Sequence, residues 1–115
     1  MCTWANAPTI LGGMTDDNLA MSLLALGQKI RLSLYRRLVT AGSAGLGPVA
    51  LAEAVGLQRN LVSYHLQPLV AAGLVRSEKR GRDVNYRVDP AGLNRLAAAV
   101  LHLSEPRAEV PPKDA

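Results

Sequence analysis

Apolar residues recur at helical spacing along most of the chain, and glycine-rich or proline-containing turns separate the repeats. Thr15 and the two acids after it suit a helix start, because they can cap free N–H groups and face the positive end of the helix dipole. This first helix carries an apolar stripe of Leu19, Leu23, Leu24 and Leu26. The pattern predicts five helices, at about residues 15–27, 30–39, 49–55, 59–72 and 90–103.

Between the fourth and fifth helices the apolar period shortens to two. Val84, Tyr86 and Val88 alternate with polar residues, as in a strand with one buried face. Gly81 suits the tip of a tight hairpin. The two antiparallel strands are predicted at Val75–Arg80 and Arg82–Val88. The predicted fold class is therefore mainly α with a small β-hairpin, in the order α-α-α-α-β-β-α.

The two ends of the chain lack this patterning. Residues 1–14 mix polar residues, proline and glycine with scattered apolar ones, and residues 105–115 are polar and rich in proline. A chain of 115 residues has the length of one domain. The predicted organisation is a flexible tail at 1–14, one domain at 15–104 and a second flexible tail at 105–115.

Positive charge is concentrated in one part of the chain. Between Leu57 and Val88 six basic residues accompany two acidic ones, a net charge of +4 that equals the net charge of the whole chain. The remainder is therefore electrically neutral, although the overall pI is near 9.7. Because nucleic acid is a polyanion, this distribution favours a nucleic-acid partner for the segment.

Several other classes of protein are not expected. Cys2 is the only cysteine, so no internal disulfide can form and a reducing, cytoplasmic location is expected. No apolar run approaches the ~18 residues of a membrane span, and no secretory signal is apparent, so no membrane partner is predicted. Cys2, two histidines and dispersed acids assemble no nucleophile and base, so neither an enzyme nor a cofactor is predicted.

The third and fourth predicted helices, joined at Gly56 and Leu57, have the pattern of a helix-turn-helix. Apolar residues would hold the two helices together, at Ala52, Val55, Leu57, Val62 and Leu66. Polar residues of the fourth helix would face base edges, at Gln58, Arg59, Asn60, Ser63, Tyr64 and His65. They would equally suit the solvated face of an ordinary helical hairpin. The basic ribbon that follows favours DNA, with backbone contacts from Lys79, Arg80, Arg82 and Arg87.

The segments LAEAVGL, VSYHL, AAGLV and RGRDVNYRV resemble the ArsR/SmtB family of bacterial winged helix-turn-helix repressors, over about residues 20–103. The resemblance implies that 15–104 is a winged helix-turn-helix domain of a sequence-specific, DNA-binding transcriptional regulator. It also implies a homodimer, formed through the first and last helices, that occupies double-stranded operator DNA with an inverted repeat and releases it when an inducer binds. The alternative is a winged-helix protein-interaction module with little or no DNA binding.

The resemblance does not identify an inducer. Metal-sensing relatives carry cysteines at positions that are Gly47 and Val49 here, which cannot bind a soft metal. A second metal site of the family is matched at Asp89, His102 and Glu105, but an alanine replaces its first histidine. Structural roles are favoured, with Asp89 as a helix cap and His102 as a helix-end residue, so no metal site is predicted. Three possibilities remain open: the inducer is a metal, the inducer is a small organic ligand at the dimer interface, or there is no inducer.

Overall fold

A computed structural model describes residues 14–106, and the structural statements below concern that part of the chain. Its helices and two-stranded antiparallel sheet confirm the predicted fold class. The elements are α1 (Asp16–Leu26), α2 (Lys29–Ala41), a 3-10 turn (Gly42–Ala44), α3 (Pro48–Val55), α4 (Arg59–Ala71), β1 (Val75–Arg80), β2 (Asp83–Val88) and α5 (Pro90–Leu101). Among the helices of residues 14–106, none combines the length and apolarity that a membrane crossing requires. The predicted tails, 1–14 and 105–115, lie almost wholly outside the described residues and stay predictions.

Local side-chain chemistry sets where the helices begin. The side-chain oxygens of Thr15, Gln28 and Asp89 each accept a hydrogen bond from a backbone N–H in the first turn of α1, α2 and α5, at 3.2, 2.9 and 3.2 Å. These bonds satisfy N–H groups that a helix start leaves unpaired. Pro48 occupies the first turn of α3, where its missing N–H costs nothing. The helix starts predicted at Thr15 and Asp89 are therefore confirmed.

The core lies where α2, α3 and α4 meet the inner face of the hairpin. Its fully buried aliphatic side chains are Leu34, Leu38, Leu51, Val62, Leu66, Leu69 and Leu74. Tyr86 from β2 and Leu96 from α5 also belong to it. Burial of each such side chain contributes ~1.5–3 kcal/mol. α4 and the hairpin therefore share one packed interior.

The hairpin closes through a two-residue loop. β1 and β2 pair in register from Val75 and Val88 at the base to Arg80 and Asp83 at the tip. The loop residues are Gly81 and Arg82, and only the glycine has a positive φ, at +61°. A positive φ at the first loop position alone is the geometry of a type II′ turn, which needs glycine there. The second strand is one residue shorter than predicted, because its expected first residue belongs to the loop.

A further segment joins the sheet at its base. Leu46 exchanges two 2.8 Å backbone hydrogen bonds with Tyr86, one as donor and one as acceptor. Gly45 lies against this contact with φ +71°, and a Cβ there would be 2.3 Å from the Tyr86 carbonyl oxygen. The Asn85 side chain donates to the Ala44 carbonyl at 3.0 Å. The base of the hairpin is thus bonded to the connection between α2 and α3.

The core uses only part of the apolar surface of α1. Its buried residues are Leu19, Ser22 and Ala25, which lie three residues apart on one side of the helix. Leu23 and Leu24, by contrast, are 43% and 74% exposed. The apolar stripe predicted for the first helix therefore divides between two faces, one of which is uncovered in the single chain.

α5 begins in close contact with the turn that follows α4. The Asp89 N–H donates to the Leu74 carbonyl at 2.9 Å. Gly92 is buried, and a Cβ at this position would lie 2.0 Å from the carbonyl oxygen of Gly73. The absence of a side chain lets the backbone of α5 approach the turn this closely. The start of α5 is therefore fixed beside the base of β1.

Candidate nucleic-acid interface

The helix-turn-helix is built by α3, α4 and the turn between them. Gly56 takes the left-handed conformation, with φ +73° and ψ +37°, and its N–H donates to the Ala52 carbonyl at 2.8 Å. The N–H of Leu57 donates to the same carbonyl at 3.0 Å. On α4, Val62 and Leu66 are fully buried. The contact residues predicted between the two helices are all buried or half-buried in the core, which confirms this part of the sequence interpretation.

The N-terminal turn of α4 presents a polar face to solvent. Gln58, Arg59 and Asn60 are exposed, and none has a side-chain hydrogen bond or ion pair within residues 14–106. Gln58 precedes the helix without capping it, so its amide is free. Ser63, one turn later, is half-buried. The structure thus brings these four predicted base-contacting residues to the start of one helix, whose opposite face packs in the core.

The two aromatic residues of this helix differ in exposure. Tyr64 is 67% exposed, so its ring does not cover the core. Its neighbour His65 is half-buried, and the two rings meet edge to face with centroids 5.3 Å apart. The Nδ1 atom of His65 is buried and has no hydrogen-bond partner among the described residues. Tyr64 therefore faces the same solvent space as the polar turn, whereas His65 packs partly behind it.

Ion pairs divide the cations of the hairpin into two groups. Arg80 and Arg87 each place a guanidinium nitrogen near Glu78, at 3.5 and 3.4 Å from its two carboxylate oxygens. Lys79 and Arg82 are exposed and have no acidic partner within residues 14–106. The unpaired positive charges of the predicted backbone-contacting set therefore lie at or beside the hairpin tip.

Sequence reasoning missed the part played by Glu78. Strand alternation places Glu78 and Arg80 on one face of β1, and the observed register puts Arg87 diagonally across from Glu78 on the same face of β2. Strand alternation alone would have predicted Arg80 as a neighbour of Glu78. The contact with Arg87 depends on the register of the two strands, which the loop residues determine.

Asp89 has two structural partners and lies away from the other candidate metal ligands. It caps α5 and accepts a 3.3 Å hydrogen bond from Arg76 Nε. Desolvation raises the pKa of this carboxyl, but the Arg76 hydrogen bond and charge, with the N–H groups of Ala91 and Gly92, outweigh it and hold the pKa below its ordinary value.

His102 and Glu105 lie at the opposite end of α5. The Nδ1 atom of His102 is 2.9 Å from Glu105 Oε1. A helix of 12 residues separates this pair from Asp89, a distance of roughly 18 Å. Within residues 14–106 no three His, Cys, Asp or Glu side chains come together as a metal site would require. Cys2 lies outside the described residues.

Comparison with known proteins agrees with this geometry. A family model described as a helix-turn-helix domain matches residues 26–78. The chain is similar to an ArsR-like transcriptional regulator from Rhodococcus sp. RHA1, with 32% identity, 76% of this chain and 79% of that chain covered, and a TM-score of 0.65. None of the curated protein sequences compared matches the chain.

Two other solved structures are similar over most of their length. One is the homodimeric winged helix-turn-helix DNA-binding domain Mb0332 from Mycobacterium bovis, with 27% identity, 83% and 97% of the two chains covered and a TM-score of 0.59. The other is the antimony-specific transcriptional repressor AntR, with 29% identity, 79% and 81% covered and a TM-score of 0.60. With a helix-turn-helix, a basic β1–β2 hairpin that forms the wing, and 32% identity to the Rhodococcus regulator, the chain belongs to the ArsR family of winged helix-turn-helix, DNA-binding transcriptional regulators.

Proposed function

We propose that the chain is a homodimeric repressor that places α4 of each subunit in the major groove of its operator and the wing on the flanking backbone. The exposed and unpartnered polar face of Gln58, Arg59 and Asn60 supports this most directly. Glutamine and asparagine can bond adenine through two hydrogen bonds, and arginine can bond guanine in the same way. Because α4 is packed into the core behind this face, the side chains start from a fixed backbone.

The wing supplies contacts that do not depend on sequence. Lys79 and Arg82 are free to neutralise phosphates, and each phosphate contact releases condensed counterions from DNA. Arg80 and Arg87 are already paired with Glu78, so their contribution to DNA binding is reduced by that competition. We assign the backbone contacts chiefly to Lys79 and Arg82.

Exposed leucines support the proposed homodimer. Leu24 on α1 and Leu101 on α5 are 74% and 75% exposed, and the two helices contact each other within one chain. Apolar surface of this kind on a soluble domain is typical of an interface. The M. bovis relative is a homodimer, and AntR is a repressor. Two recognition helices about one DNA turn (~34 Å) apart would match an inverted-repeat operator.

Two substitutions separate the roles of wing and helix. Arg82→Ala is expected to weaken binding to specific and unrelated DNA alike and to lower the salt slope by about 1, because one phosphate contact is lost. Asn60→Ala is expected to change sequence preference, with a cost of ~1–3 kcal/mol at the base pair that it contacts. Mobility-shift titrations at several salt concentrations, on a fragment of the chain's own promoter and on an unrelated fragment, measure both effects.

Each role can fail separately in this experiment. An unchanged salt slope for Arg82→Ala would remove that arginine from the backbone contacts. A uniform loss for Asn60→Ala across DNA sequences would remove base recognition from the start of α4. If the parent chain bound no fragment even at low salt, a protein-interaction role for the module would be favoured instead.

The Glu78 carboxylate is expected to restrain DNA binding. Glu78→Gln should raise affinity by about fivefold at low salt, because it frees Arg80 and Arg87 and removes a negative charge near the phosphates. Asp83→Asn is the matched control, since Asp83 also lies on the hairpin but has no ion pair within residues 14–106. The measurement is the dissociation constant as a function of salt. Equal gains from the two variants would show that only net charge matters and that the ion pairs do not.

A further inference from the structure

A second basic surface lies outside the helix-turn-helix face and the wing. An open groove of about 480 Å³ runs along α2 where it meets the C-terminal end of α3. We call it the α2 groove, and the lining residues used below are Lys29, Ile30, Ser33, Arg36, Arg37 and Val55. Its volume falls within the range of ~300–1,000 Å³ that small-molecule sites occupy.

The cations of the α2 groove converge and are unpaired. Lys29, Arg36 and Arg37 lie seven and eight residues apart on α2, a spacing that returns to the same side of a helix. All three are exposed, and none forms an ion pair within residues 14–106. No carboxylate lines the groove. Ser33 also lines the groove, one helical turn after Lys29 and one turn before the two arginines.

The groove also has an apolar side. Ile30 and Val55 are half-buried and pack against the core while lining the groove. A concave site that combines an apolar wall with a few convergent polar groups fits a small organic molecule better than it fits a bare ion. Guanidinium groups bind carboxylates and phosphates through paired, charge-assisted hydrogen bonds.

We propose that the α2 groove binds a small organic anion that carries phosphate or carboxylate groups, and that this anion is an effector of the regulator. Val55 lines the groove and directly precedes Gly56, the left-handed residue at the turn into α4. An occupant therefore contacts α3 one residue before the helix-turn-helix changes direction. The effector role rests on the proposed DNA-binding function, whereas the binding site itself does not.

Binding is tested without DNA, with inorganic pyrophosphate and citrate as probes. Isothermal titration calorimetry on the full chain is expected to show saturable binding of at least one probe. Arg36→Gln with Arg37→Gln should weaken it by about tenfold or more, because charge-assisted hydrogen bonds are lost from exposed positions that the core does not need. The matched control, Lys79→Gln with Arg82→Gln, removes the same charge from the wing and should change probe affinity by less than about twofold.

Three results would overturn the proposal. One is equal weakening of probe binding by both double variants, which would mean attraction by net charge alone. Another is the absence of saturable binding by either probe. The third is a loss of operator affinity and salt slope in the Arg36/Arg37 variant without any probe, which would assign the α2 groove to DNA phosphates. Failure of the parent chain to bind DNA would refute the proposed function but leave a measured probe site intact.

Discussion

The Leu101→Glu variant is expected to be monomeric and to bind an intact operator roughly 100-fold more weakly than the parent chain. Leu101 is 75% exposed on α5, and Leu24, on the other helix of the proposed dimer surface, is 74% exposed. A carboxylate placed in an apolar interface loses its hydration without gaining a partner, a penalty of several kcal/mol. Because each monomer would then contact one half-site, the affinity gained by joining two half-sites would be lost.

Sedimentation equilibrium and mobility shifts on whole and half operators measure this effect. Val39→Glu is the matched control, since Val39 is 51% exposed but lies on α2, outside the proposed interface. The control should remain dimeric and keep operator affinity. A Leu101→Glu protein that stays dimeric would exclude the C-terminal end of α5 from the interface.

The Gly92→Ala variant is expected to lose about 3 kcal/mol of unfolding free energy. Helix propensity predicts the opposite sign, because alanine is favoured over glycine in a helix by ~1 kcal/mol. The added Cβ, however, would lie 2.0 Å from the carbonyl oxygen of Gly73 and 2.9 Å from its carbon. Both are backbone atoms, so no side-chain rotation can relieve the contact and α5 must move away from the turn.

Urea denaturation, followed by circular dichroism, measures whether Gly92→Ala lowers or raises the unfolding free energy. Gly81→Ala is the control, since its Cβ would meet nothing within 4 Å and only the positive φ of +61° opposes it. That strain costs ~1–2 kcal/mol. A Gly92→Ala protein as stable as the parent would show that the start of α5 can shift freely, and that the close approach to Gly73 does not position the helix.

Local chemistry made most of the elements predictable. Helix starts are indicated by the residue types at Thr15, Pro48 and Asp89 alone, without knowledge of distant segments. Gly81 between two alternating segments likewise indicates a hairpin. The apolar period of α4 also predicted Val62 as a core residue. These features depend on neighbours within about one helical turn, which a sequence displays directly.

The remaining features depend on distances between segments far apart in sequence. The bonds between Leu46 and Tyr86 join residues 40 positions apart, and nothing in the glycine-rich segment around Leu46 indicates a strand. The contact of Gly92 with Gly73 likewise appears only once α5 is packed against the turn. The polar residues at the start of α4 could be predicted as a surface, but their freedom from competing partners could not.

Hydrogen bonds at the base of the hairpin join the wing to α5. β2 passes directly into α5 through Asp89, whose N–H bonds the Leu74 carbonyl and whose carboxylate bonds Arg76 on β1. Because of these bonds, a rotation of α5 would be expected to move the hairpin with it. In the proposed dimer, a change in the angle at which the two α5 helices cross would alter the separation of the two wing tips. Dimer geometry would thereby determine the length of operator DNA that the two subunits can contact at the same time.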